Sequence, residues 1–75
     1  MTLSKLRVGE RACISGVCGE DALIHRFSAM GLRIGREACL IRRSWFGGAL
    51  QVQVGGTHLI MRRADADRIT IQRSE

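Results

Sequence analysis

Hydrophobic and polar positions alternate with a period of two in several short runs of this chain, interrupted once by a helical period. Glu10 to Val17 reads as a strand, with Ala12 and Ile14 on one face, Cys13 and Ser15 on the other, and Gly16 marking a bulge near its end. Over residues 20–30 the period changes: Leu23, Phe27 and Met30 recur at i, i+4 and i+7 and stack on one helical face, with Asp21, His25 and Ser28 opposite. Glu20 and Asp21 lie in the first turn, where the helix dipole favours acids, and Gly31 suits a left-handed C-terminal cap.

After Gly35 the strand period returns. Ala38 and Leu40 alternate with Glu37, Cys39 and Ile41 up to the paired Arg42 and Arg43, and Leu50, Val52 and Val54 alternate with Gln51 and Gln53. Gly55-Gly56 predicts a two-residue hairpin turn into a strand from Thr57 to Arg62. A short helical turn is expected near residues 64–68, then a closing strand through Ile69 and Ile71. At the other end, Leu3, Leu6 and Val8 are expected to anchor a turn or single helical twist before Gly9. Five short strands with one inserted helix predict a mainly β fold, a small five-stranded barrel whose closure removes exposed strand edges.

Composition narrows the choice of function. At 75 residues the chain closes one core, so residues 1–75 form a single domain with no room for a catalytic annex. Eleven Arg and one Lys against seven acids give a net charge of +5, which favours anionic partners. Three cysteines at irregular spacing, with no signal sequence before them, fit reduced thiols in a cytoplasmic protein. Ser44 to Met61 is free of charge, but its Gly-Gly pairs and polar residues argue against membrane insertion.

The chain carries no GxxxxGK, GxGxxG, HExxH or GxSxG motif, and no carboxylate pair stands out as acid and base, so an enzyme is not expected. Glu20 and Asp21 read as helix-start charges, and Asp65 and Asp67 as a solvated turn. Cys13, Cys18, Cys39, His25 and His58 are metal-binding types, but Cys13 and Cys18 lack a second pair to complete a tetrahedron. No built-in cofactor is therefore expected. Asp21 with His25, and His58, are the weak metal candidates, leaving ferrous iron or zinc open at a surface or subunit contact of an oligomer.

Two further groups remain. Arg42-Arg43 and Arg62-Arg63 end two strands, yet neighbouring strand residues face opposite ways, and exposed rings for base stacking are few, so nucleic acid is not the expected partner. A small RNA-binding barrel and a transition-metal carrier stand as the alternatives. Trp45 and Phe46, beside Gly47-Gly48, place two large apolar side chains in a connection that is usually polar. They plug the barrel end or form a partner-binding patch with Arg42 and Arg43, and the residues alone leave both readings open.

Read in order, Leu6-x-x-Gly9, the first strand, Arg26-Phe27-Ser28-Ala29-Met30-Gly31-Leu32-Arg33-Ile34-Gly35 and Ala66-Asp67-Arg68-Ile69-Thr70-Ile71 resemble the FeoA family of ferrous iron transport proteins. The likeness covers nearly the whole chain, with Ile34 standing where the family usually has proline. This resemblance implies an SH3-like barrel and a cytosolic accessory role in bacterial ferrous iron uptake. The implied partner is the cytosolic part of FeoB, the membrane transporter. A related barrel closes the DtxR-like metal-dependent repressors, where a DNA-binding domain precedes it.

Overall fold

Which side of most strands is buried follows the alternation in the sequence. The computed structural model describes residues 1–44 and 48–73. A 3-10 turn, Leu3–Lys5, leads into β1 (Arg11–Val17), α1 (Asp21–Ala29), β2 (Glu37–Arg43), β3 (Ala49–Val54), β4 (Thr57–Arg62), the single turn α2 (Arg63–Ala66) and β5 (Ile69–Arg73). Ala12 and Ile14 of β1, Ala38 and Leu40 of β2, Leu50, Val52 and Val54 of β3, Met61 of β4, and Ile69 and Ile71 of β5 all enter one core. Leu3, Leu6, Phe27, Leu32 and Ala66 complete it.

The strands pair antiparallel in the order β4-β3-β2-β1-β5. Since all five feed the same core, the sheet curves around it, giving the small SH3-like barrel expected from the sequence. Closure by strand pairing is incomplete. Among the described residues no ladder joins β4 to β5, and α2 spans the gap, packing on β3, β4 and the 3-10 turn. Two edges therefore remain where full closure had been expected to remove them.

Helix α1 ends as its sequence requires. Gly31 has φ of +96°, its N–H donates to the Ser28 carbonyl at 3.0 Å, and the Leu32 N–H donates to that of Phe27 at 2.9 Å. This is the Schellman pattern, and Leu32, buried just beyond the cap, supplies its apolar contact. Gly55, with φ of +62°, opens the β3–β4 hairpin.

Two expectations need correction. Val8 is 62% exposed instead of anchoring the N-terminal segment, because the chain turns outward at Val8-Gly9 before the Gly9 N–H reaches the Leu40 carbonyl at 2.7 Å. The short helical turn begins and ends earlier than expected, at Arg63–Ala66, directly continuing β4.

Candidate interaction surface

A bulge decides where the two arginines of β2 point. The β2–β3 register pairs Leu40 with Val52 but Arg42 with Gln51, so Ile41 is an extra residue. Simple alternation from Ala38 and Leu40 would carry Arg42 inward. The bulge reverses the phase: Arg42 is exposed, while Arg43, opposite the buried Leu50, turns to the interior side.

Arg43 is there put to structural use. Its Nη2 donates to the carbonyls of Ser4 at 2.8 Å and Leu6 at 2.7 Å, groups that the 3-10 turn leaves without strand partners. The Ser4 hydroxyl, almost fully buried, donates in turn to a carboxylate oxygen of Asp67. Arg43 from β2 and Asp67 from the α2–β5 turn thus hold the N-terminal segment from two sides. Asp67, read from the sequence as a solvated acid, has a specific partner; nothing in the local pattern announces a contact across the chain.

Arg42 lies on the opposite, outer face. It borders a shallow depression of about 220 Å³ with Ser44, Ala49, Leu50, Gln51 and Ile60. Trp45 and Phe46 fall outside the described residues, so this surface is defined here by Arg42 and the outer faces of β3 and β4. Ile60, beside Gln51 in the register, is 75% exposed.

The other charged surfaces are mixed in sign. A larger cleft of about 460 Å³ holds Arg11, Arg36 and Glu37 with Cys39 and Gln53, and Arg11 approaches Glu37 at 3.9 Å. A third, of about 320 Å³, gathers Arg26, Arg62 and Arg68 with Glu20 and Asp65, where Arg62 meets Asp65 at 3.6 Å. The Arg11–Glu37 pair, exposed on both sides, contributes roughly 0–1 kcal/mol.

The metal-binding types are dispersed. Asp21 and His25 are both exposed on α1, and His58 lies on the outer face of β4 with its Nδ1 3.3 Å from Gln51 Nε2. Among the described residues no three His, Cys, Asp or Glu side chains are grouped to hold a metal ion. Cys13 and Cys39 are half-buried on strands, Cys18 is exposed, and all three are free thiols. Among the described residues no helix is long and apolar enough to cross a membrane.

Comparison with known proteins places this geometry. The sequence model of one family, the FeoA domain, matches residues 1–73. The chain belongs to the FeoA family. That family is associated with ferrous iron transport. The FeoA protein from Chlorobium tepidum is 34% identical with a TM-score of 0.89, over 97% of this chain and 70% of that one. FeoA of Stenotrophomonas maltophilia, solved in complex with zinc and described as a prokaryotic SH3 domain protein, is 32% identical with a TM-score of 0.82, over 96% and 89% of the two chains. A manganese-dependent transcriptional repressor shares the fold at 15% identity and a TM-score of 0.90, with 99% of this chain matching 41% of the repressor. No relative among curated proteins matches. Within this FeoA fold, the sequence anticipated that the Arg42-Arg43 pair is divided between faces, but it did not reveal the bulge that sets which one faces out.

Proposed function

We propose that this chain is a cytosolic accessory protein of ferrous iron uptake that acts by binding, as an interaction module on the cytosolic part of the FeoB transporter. The docking residues are Trp45, Phe46 and Arg42, with Arg43 holding the strand end that presents them. Docking alters assembly, gating or nucleotide turnover of the transporter, and the chain itself carries neither catalysis nor a built-in cofactor. The observation that carries this reading is the outward position of Arg42 beside an apolar depression, at the strand end leading into Trp45-Phe46. An aromatic pair next to an exposed arginine is the composition of an interface hot spot.

Calorimetric titration of the full chain with the cytosolic domain of the cognate transporter tests this. Trp45→Ala with Phe46→Ala is expected to abolish measurable binding, and Arg42→Glu to weaken it at least tenfold. Undiminished binding by the double variant rejects this surface. Ferrous iron titrated anaerobically into the chain alone is expected to show no stoichiometric uptake; saturable binding would shift the reading to a metal carrier.

A further inference from the structure

The two edges of the sheet are treated differently. On the β5 side, Thr2 bridges to Thr70 and the Ile71 N–H donates to the Met1 carbonyl at 2.8 Å, so the first two residues cover that edge. On the β4 side, nothing among the described residues pairs with the outer backbone. The hydrogen-bond phase identifies which groups are left. The Arg63 N–H donates to the Gly48 carbonyl at 2.7 Å, one step beyond the Ala49–Arg62 pair. In an antiparallel ladder, alternate residues bond inward. Thr57, Leu59 and Met61 therefore use their backbone groups on β3, while His58, Ile60 and Arg62 turn theirs outward.

This edge lacks two of the usual safeguards, proline and a bulge. It contains no proline, and six consecutive register pairs run from Ala49–Arg62 to Val54–Thr57 without the bulges found in the β1–β5 and β2–β3 ladders. Ile60 at its centre is the most exposed large hydrophobic residue described. Strand edges of this kind are templates for another strand.

Charge selects the occupant. Residues 38–64 hold four arginines and no carboxylate; Arg43 turns inward to the Ser4 and Leu6 carbonyls, which leaves Arg42, Arg62 and Arg63 exposed. Asp65, just after this stretch, pairs with Arg62 at 3.6 Å and with no other arginine among the described residues. A second copy pairing antiparallel about Ile60 would place His58 opposite Arg62 twice and bring two such cationic faces together. An acidic strand has the complementary charge.

We infer that the outer edge of β4 binds an extended acidic segment of a partner protein by strand addition. The segment's backbone pairs with His58, Ile60 and Arg62, an apolar side chain covers Ile60, and flanking carboxylates reach Arg62 and Arg42. Main-chain pairing provides affinity and the alternate side chains provide selectivity. This edge adjoins the docking surface proposed above, sharing with it the depression lined by Arg42 and Ile60, but its backbone pairing does not depend on the identity of the transporter partner.

The probe is an acetylated, amidated peptide, Ser-Glu-Thr-Val-Thr-Glu-Ser, titrated into the isotopically labelled full chain with amide shifts and hydrogen exchange as readouts. The amides of His58, Ile60 and Arg62 are expected to shift and become protected. Lysine in place of both glutamates, or N-methylation of the valine and both glutamates, is expected to weaken binding at least tenfold. Ile60→Pro removes an outward N–H without removing a ladder bond and is expected to abolish binding, whereas Ile60→Thr keeps it within about tenfold. No change in these three amides at millimolar peptide overturns the inference, as does equal binding of the N-methylated peptide, which needs no variant to fold. A uridine oligonucleotide that shifts these amides when the peptide does not overturns it in favour of nucleic acid, and a concentration-dependent dimer protecting them overturns it in favour of a second copy.

Discussion

The β5 and β4 edges of this sheet show two ways of ending a small barrel. At β5 the chain covers its own edge: Met1 and Thr2 lie along it, Leu3 and Leu6 anchor the segment in the core, and Arg43 and Asp67 hold it in place. At β4 alternate backbone groups face outward, Ile60 is exposed, and among the described residues the neighbouring arginines meet an acid only at Arg62. The first edge is closed by packing and hydrogen bonds. At the second, charge opposes self-pairing and favours a partner of opposite sign. Stability and recognition are thereby assigned to opposite ends of the sheet.

Substitutions at matched positions break or sharpen that contrast. The largest effect is expected from Leu6→Ala, which empties a buried site in the segment that covers β5 and should cost about 2–5 kcal/mol in urea unfolding, whereas Ile60→Ala on β4 should fall within about 0.5 kcal/mol of the parent. A loss at Ile60 as large as at Leu6 would erase the distinction. Next comes the arginine pair. Arg43→Met leaves the Ser4 and Leu6 carbonyls without their donor and should destabilise by about 1–3 kcal/mol, while Arg42→Met should be nearly neutral in the same assay. Equal losses at both positions would contradict the phase reversal at Ile41. Ser4→Ala, which removes the donor to Asp67, should cost about 1 kcal/mol in the same unfolding series. The smallest effect concerns association. Arg42→Ser with Arg62→Ser should leave folding intact but produce weak, concentration-dependent self-association in sedimentation equilibrium, because charge no longer guards the open edge.

Most of the architecture was legible in the sequence because period and side-chain chemistry agreed. Leu50, Val52 and Val54 alternate cleanly with two glutamines, and Leu23, Phe27 and Met30 recur at helical spacing before a glycine, so strand, helix and cap could each be read locally. The candidate surface was harder to read. Ile41 follows Leu40 as one more apolar residue, and nothing in that pair signals that Ile41 is the bulge and that Arg42, not Arg43, turns outward. In β4, Leu59, Ile60 and Met61 are apolar in succession, so alternation is hidden and the exposed one is not marked. The Ser4–Asp67 contact joins residues at opposite ends of the chain and leaves no periodic trace. Val8 misled for the opposite reason: its apolar side chain suggested burial, but it occupies a turn.

Amide hydrogen exchange of the free chain tests the two-edge account most directly, since it reads backbone pairing residue by residue without any substitution. The account predicts that the Ile71 amide, bonded to Met1, exchanges slowly while those of His58, Ile60 and Arg62 exchange rapidly, with Thr57, Leu59 and Met61 between them protected. Slow exchange at His58, Ile60 and Arg62 in the free monomer would show that the β4 edge is already covered and would contradict it.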